Sequence, residues 1–318
     1  MLRLHRRGQG AAALCLLVVG LYGLGGAGTL RAQMPGSASP ILQGDAVKRV
    51  SDHVYVIMGF PNVEFVVGNG ATLVVDTGMG ERNGATVWRA AQKLARPNSN
   101  FYLTTTHFHP EHASGAQAFP PSTILIRPVA QQGEMDLHGA EFIERFRGMS
   151  AVNKELLQDV TLRRADVAFD TELHLDLGGV TVRLFWLGPA HTTGDELIFV
   201  EPDSALLPGD IVMSKLVPNM PTPEASPKNW LAILDMLEPL HPRYVVPDHG
   251  ELGDGSLIGR ERSFLADLQQ RALELKRGGT PVEDAGRQLT TEFQGKYPDW
   301  GNTPGIANVV RRVYAESQ

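Results

Sequence analysis

Between Thr104 and His112 the chain reads Thr-Thr-Thr-His-Phe-His-Pro-Glu-His, which puts three imidazoles and a carboxylate within six positions at the end of an apolar run. Phe101-Tyr102-Leu103 reads as a buried strand, and His107 and His109, two apart on a pleated backbone, point to the same side. Pro110 stops that strand and suits the first turn of a helix, so Glu111 and His112 fall on an incoming helical turn that faces back toward the two rings. Four metal-ligating side chains therefore converge. Clustered imidazole and carboxylate are what a borderline-soft divalent cation wants.

The N-terminus carries a second pattern. Arg3, Arg6 and Arg7 precede an apolar core from Ala11 to about Leu24, then small residues and Leu30-Arg31-Ala32. That order predicts a secretory signal peptide over residues 1–32, cleaved near Ala32, with an uncleaved anchor as the rival reading. The apolar core is short for a full membrane span, which needs about 20 residues. Cleavage leaves 286 of 318 residues, enough for a sizeable core. It also removes four of the 29 basic side chains and none of the 35 acidic ones, for a formal net charge of −10. Nucleic acid is excluded as a partner on that balance, because phosphate binding needs a basic face. The expected partner is a small-molecule substrate, with membrane contact only through the export signal. The single cysteine, Cys15, lies in the signal core, so the mature chain has no thiol and every metal ligand must be nitrogen or oxygen. The compartment is read as periplasmic or extracellular.

Residues 33–46, rich in Gly, Ser and Pro, read as a loose leader. Strands are expected over 54–58 and 63–67, flanking a hairpin turn at Gly59-Phe60-Pro61-Asn62, and over 72–75, ending at Asp76-Thr77-Gly78. An amphipathic helix follows near Gly84 to Leu94. Past the His cluster, 123–126 is a strand and 128–160 a charged, mainly helical excursion over part of the sheet. Strands return at 173–175, 180–186, 196–200 and 205–207, then a helix over 228–239 and a last strand over 244–246. From Gly255 the apolar stripe Leu257, Phe264, Leu265, Leu268 and Leu273 predicts two or three packed C-terminal helices and no separate catalytic module. Pattern alone gives an α/β fold with mixed sheets.

Four segments carry a resemblance. His-Phe-His-Pro-Glu-His resembles the His-x-His-x-Asp-His signature of the metallo-β-lactamase superfamily, and Gly188-Pro189-Ala190-His191-Thr192-Thr193-Gly194-Asp195 its Gly-x-x-His-Thr-x-Gly segment. Pro208-Gly209-Asp210 resembles its Gly-Asp element, and Pro247-Asp248-His249-Gly250 its final Pro-Gly-His-Gly, all in order over about residues 50 to 250. The resemblance implies an αββα sandwich over 47–254, two mixed sheets face to face with helices outside, and 255–318 packed on it. It also implies that His107, His109 and His191 hold one divalent cation, that Glu111, His112 and His249 hold a second, and that Asp210 bridges them. Zinc is the expected metal, with iron or manganese as alternatives. Asp76 resembles the family's buried Asp beneath the metals, accepting an imidazole N–H; a turn or helix-capping role is the alternative.

Two metals about 3.5–4 Å apart can trap a hydroxide, because zinc lowers the pKa of bound water to about 7. The implied reaction is hydrolysis of an ester, lactone, β-lactam, thioester or phosphodiester, with Glu111 and Asp210 as the catalytic carboxylates. Glu111 departs from the family's Asp, and its extra methylene predicts a second site weaker than the first. Phe60 at the hairpin tip is a candidate flap. Met213, Lys215, Leu216, Val217 and Met220 are candidates for the opposite rim, where Lys215 is either a solvated surface cation or a partner for a substrate carboxylate. His5, His53, His138, His174 and His241 belong to no motif. The competing function is a non-hydrolytic periplasmic metal protein, or a mononuclear iron dioxygenase of the same superfamily, for which Glu111 is the best support.

Overall fold

A computed structural model describes residues 39–44 and 46–317. The signal segment, with His5 and Cys15, lies outside these residues, as does the first part of the leader.

The first sheet has seven strands in chain order. They are β1 (Val47–Arg49), β2 (Val54–Ile57), β3 (Val63–Val67), β4 (Ala71–Val75), β5 (Asn100–Thr104), β6 (Ile124–Pro128) and β7 (Val167–Phe169). The first four pair antiparallel, and β4 to β7 run parallel. Helix α1 (Gly80–Leu94) makes the β4–β5 crossover, and α2 (Pro110–Ala113), α3 (Val129–Arg147) and α4 (Ala151–Leu156) follow later strands. The second sheet comprises β8 (Glu172–Asp176), β9 (Thr181–Trp186), β10 (Glu196–Val200), β11 (Ala205–Leu207) and β12 (Tyr244–Val245), antiparallel except for the β11–β12 pair. Helix α5 (Pro227–Leu237) joins β11 to β12, and α6 (Ser256–Arg277), α7 (Val282–Lys296) and α8 (Gly305–Glu316) complete the chain.

Alternation along the strands decides the layering. In β2, Val54 and Val56 face the second sheet, where they meet a core that includes Val182, Leu184, Ile198 and Leu207. Ile57 and, on β3 and β4, Phe65 and Val74 face α1, packing on Val87, Ala90 and Ala91. The outer face of the second sheet is covered by α5 to α8, through Trp230, Phe264, Leu268, Phe293 and Val309 among others. The result is helix, sheet, sheet, helix: the αββα sandwich with C-terminal helices that the motifs imply.

Several local expectations need correction. The leader is anchored where it is described: Leu42 is buried against the first sheet and its N–H donates to Asn83 Oδ1 at 3.0 Å. Helix α1 starts at Gly80, four residues earlier than its apolar stripe, because its first turn carries Glu81, Arg82 and the buried Asn83. The 128–160 excursion is two helices, and edge strands β1 and β7, at three residues each, are too short to show alternation. Among the described residues no helix is long and apolar enough to cross a membrane.

Candidate metal centre

Strand β5 ends at Thr104, so His107 and His109 stand on an irregular loop rather than on the expected pleated strand. They converge for a different reason. His109 is the N-cap residue of α2, Pro110 opens that helix, and Glu111 and His112 follow on its single turn. His191 sits in the loop before β10, Asp210 in a 3-10 turn after β11, and His249 in the loop after β12. All seven side chains are buried. The ligand atoms fall into overlapping groups, each within 4.8 Å: His107, His109 and His191; His107, His112 and Asp210; Glu111, His112 and His249.

Nε2 of His107 and Nε2 of His191 lie 3.0 and 3.3 Å from Nδ1 of His109. Nitrogens around a tetrahedral cation with bonds of about 2.0–2.1 Å are roughly 3.3 Å apart, so this trio has the span of one coordination sphere. The opposite ring nitrogen of His191 donates to the Asn219 carbonyl at 2.7 Å, which leaves its Nε2 as the lone-pair atom facing the cluster. His112 is held likewise. Its Nδ1 faces Asp76 Oδ2 at 2.6 Å and Asp248 Oδ2 at 3.2 Å, turning Nε2 inward. Asp210 presents one oxygen to His191 and the other to His249, each at 3.4 Å.

Several polar atoms of the cluster make no hydrogen bond: Glu111 Oε2, His112 Nε2 and Asp210 Oδ1, and also the ring nitrogens of His109 and His249 other than those facing the cluster, Nε2 and Nδ1. Buried polar atoms are normally paired, and orphans on imidazoles and carboxylates that converge on one point fit a divalent cation. Charge agrees. Burial, with help from neighbouring rings, holds His107 and His109 well below the imidazole range and takes His249 down to about 3, so these rings are neutral and able to ligate. Burial also lifts Glu111 to about 7, while burial and the charge of Asp248 lift Asp76 to about 7. A bound cation would oppose such carboxylate shifts.

The supporting shell is mostly invisible in the motifs. Asp76 adopts a left-handed backbone (φ 67°) and accepts from Thr106 N at 2.7 Å, which ties the end of β4 to the His loop. Asn62 donates from Nδ2 to the carbonyls of Pro247 and Gly250 at 2.6 and 3.1 Å, so the β2–β3 turn fixes the His249 loop. Gln131 of α3 bonds Thr105 and Gly194, and Glu134 accepts from the N–H groups of Thr193 and Gly194, joining the two His loops through one helix. Gly194 lies so near Gln131 that an added Cβ would sit 2.2 Å from its Cα, and only glycine fits. Asp248, standing where the motif has Gly, was readable as a departure; Asn62, Gln131, Glu134 and Asn219 act through backbone groups far along the chain and leave no local pattern.

A cleft of about 580 Å³ opens beside the cluster. Phe60 lines it and packs on His249, ring centroids 4.4 Å apart, and Met213 and Leu216 line it as well. Lys215, Val217 and Met220 do not. Lys215 pairs with Asp299 at 2.6 Å on the surface, and Met220 is buried in the core under the C-terminal helices. Arg145 of α3, which no motif indicated, lines the cleft instead. His53, His138, His174 and His241 are all outside the cluster.

Comparison with known proteins agrees with this architecture. The chain superimposes on a metallo-beta-lactamase from Pontibacter korlensis with a TM-score of 0.56 and 18% identity, over 71% of this chain and 99% of that one. It also superimposes on the stereoselective inverting sec-alkylsulfatase Pisa1 from Pseudomonas sp. with a TM-score of 0.66 and 16% identity, over 85% of this chain but 50% of that one. No curated protein matches in sequence. The family model described as the metallo-beta-lactamase superfamily matches residues 57–249, more than half of the sequence and the span that contains every residue of the cluster. The chain belongs to the metallo-beta-lactamase superfamily.

Proposed function

We propose that this protein is an exported hydrolase that holds two divalent cations, zinc by preference, and cleaves an ester, lactone, thioester or β-lactam bond. The observation that carries the reading is the convergence of the seven buried ligand side chains, with Glu111, His112 and Asp210 each holding a buried atom that has no hydrogen-bond partner. His107, His109 and His191 would hold one cation, Glu111, His112 and His249 the other, and Asp210 both. When bound, such a pair supplies a nucleophilic water at neutral pH and polarises the scissile oxygen.

The rest is the work of the chain. The Asn219 carbonyl and the carboxylates of Asp76 and Asp248 fix which nitrogen of His191 and His112 is free. Asp210, with an oxygen toward each half of the cluster, and Glu111 are the carboxylates nearest the reacting atoms and the candidates to accept a proton there. Phe60 shields His249 from bulk water on the cleft side. The sec-alkylsulfatase among the similar structures adds alkyl sulfates to the bonds worth assaying.

Metal analysis of the purified full chain should find about two zinc ions. Hydrolysis of at least one among nitrocefin, a homoserine lactone, a thioester, an aryl ester and a sec-alkyl sulfate should vanish on chelation and return with zinc. No turnover with zinc, manganese or iron would overturn the proposal, and one iron per chain would favour the mononuclear dioxygenase reading in its place. Export is tested separately, by mass analysis of secreted protein for cleavage near Ala32.

A further inference from the structure

Charge in the cleft is unevenly placed. Arg145 is the only Lys or Arg among the described residues that line it, and the rest of the lining is largely apolar. The Arg145 guanidinium lies 5.4 Å from the centroid of the Phe142 ring, and Phe142 stacks on His109 at 4.8 Å with an interplanar angle of 14°. Arg145 is therefore at most about 10 Å from the ring of His109. No described side chain forms an ion pair or hydrogen bond with it. Glu144, its neighbour, pairs with Arg147, and Lys215, the other cation of this region, pairs with Asp299 outside the cleft. An arginine kept for solubility would not need to stand over an aromatic ring inside an apolar cleft. Beside it, Met149 and Val152 leave 55% and 37% of their surface exposed, apolar surface that a bound ligand would cover.

We infer that Arg145 is a binding residue for the anionic end of an amphiphilic substrate, whose reacting group lies at the His cluster and whose carboxylate or sulfonate-like group lies up to about 10 Å away. The inference rests on the hydrolase reading for the reacting group, but the anion subsite stands on Arg145 and the cleft alone. Phe60, Phe142, Phe146, Met149, Val152 and Met213 enclose the segment between the two ends, which fits an aliphatic or aryl spacer of up to roughly eight atoms. Guanidinium suits the role because its planar fork pairs a carboxylate or sulfonate with two parallel hydrogen bonds and keeps its charge at every working pH.

Two measurements test this on the full chain. In the first, calorimetry compares the monoamide of suberic acid with octanamide, which has the same length and no charge, with and without added zinc. The anion should bind about fivefold tighter, the range expected of a partly exposed charge pair. That preference should disappear in Arg145→Gln and reverse in Arg145→Glu; both changes are at an exposed side chain and leave the core untouched. In the second, the 4-nitrophenyl monoester of suberic acid is compared with 4-nitrophenyl octanoate. The anionic ester should have the lower KM in the wild type, and the two should converge in Arg145→Gln, with kcat for the anionic ester changed far less than its KM. Equal ligand preference in all three proteins would overturn the subsite, showing that the anion is held by the cations or by nothing. Preference by calorimetry without turnover of these esters or of any compound in the panel above would keep the subsite and sink the hydrolase reading.

Discussion

Two carboxylates face one ring nitrogen beneath the cluster, and Thr106 lies between them, its hydroxyl 3.0 Å from Asp76 Oδ2 and 2.7 Å from Asp248 Oδ2. Asp76 is the nearer to His112 and also accepts a backbone N–H, so it sets the ring's tilt, while Asp248 adds charge from the opposite loop. Asp76→Asn should weaken the cation held by His112 by 10- to 100-fold, the usual cost of losing an outer carboxylate, and Asp248→Asn by the lower end of that range. Competition titration with a chromophoric chelator measures both, and equal affinities in all three proteins would refute the assignment. Glu111 makes a second prediction. Its carboxyl is lifted by burial to about 7 in the cation-free protein, so a proton must leave before it ligates. Affinity at the second site should rise as pH climbs through that value and go on rising above it, because His112 must also lose a proton: against the pull of burial, Asp76 and Asp248 hold it above the ordinary imidazole value. Glu111→Asp, with an ordinary reach, should bind tighter throughout. Of this shell, the seven inner side chains and Asp76 were legible because each sits in a short motif of fixed spacing. Asp248 stood in view but had no role until folding brought it to His112, 136 positions away by number.

Helix α3 does more than cover a sheet edge. Gln131 and Glu134 on its first turns hold the two His loops together, and Phe142 and Arg145 further along form one wall of the cleft. Its charges and weak amphipathic pattern disguised this, because a helix that binds loop backbone on one side and faces a cleft on the other has no single apolar stripe. Glu134→Ala leaves the N–H groups of Thr193 and Gly194 without their acceptor in a buried setting. It should cost about 1–3 kcal/mol of stability, read from urea unfolding, together with a loss of activity as the His191 loop loosens. Glu134→Gln, which keeps an acceptor oxygen, should lose less. The C-terminal segment plays the matching part on the other wall. Asn302 donates to the Val217 carbonyl at 3.0 Å and Asn308 to Asn219 Oδ1 at 3.3 Å, so the loop that orients His191 is pinned by residues about 85 positions further on.

At the scale of the molecule, the two sheets are joined at the end of β1–β2 by Asp203, whose carboxylate accepts from Ser51 Oγ and, at 2.8 Å, from His53 N, and pairs with His53 Nδ1 at 2.6 Å. Burial raises its pKa, but these hydrogen bonds outweigh burial and leave it below the ordinary value. A lowered folded-state pKa gives stability that is present above the unfolded value near 3.9 and is lost as pH falls through the folded one. Asp203→Asn should therefore cost about 1 kcal/mol at pH 7, and the gap to wild type should narrow as pH falls below the unfolded value in thermal or urea unfolding. The layer order was legible only through the motifs, whose resemblance implies two facing sheets, because strands apolar on both faces, such as Val54-Tyr55-Val56-Ile57, do not show which side meets which layer. The sheet boundary was not, because nothing in the spacing of β7 and β8, separated by two residues, marks where the chain leaves one sheet for the other. The ligands divide along that same boundary: residues 107–112 come from loops of the first sheet, and residues 191, 210 and 249 from loops of the second. A cation bound there would act as a rivet through both plates, so that neither sheet can peel away without expelling it. Heat tolerance would then track free zinc concentration, climbing with each tenfold excess over the dissociation constant.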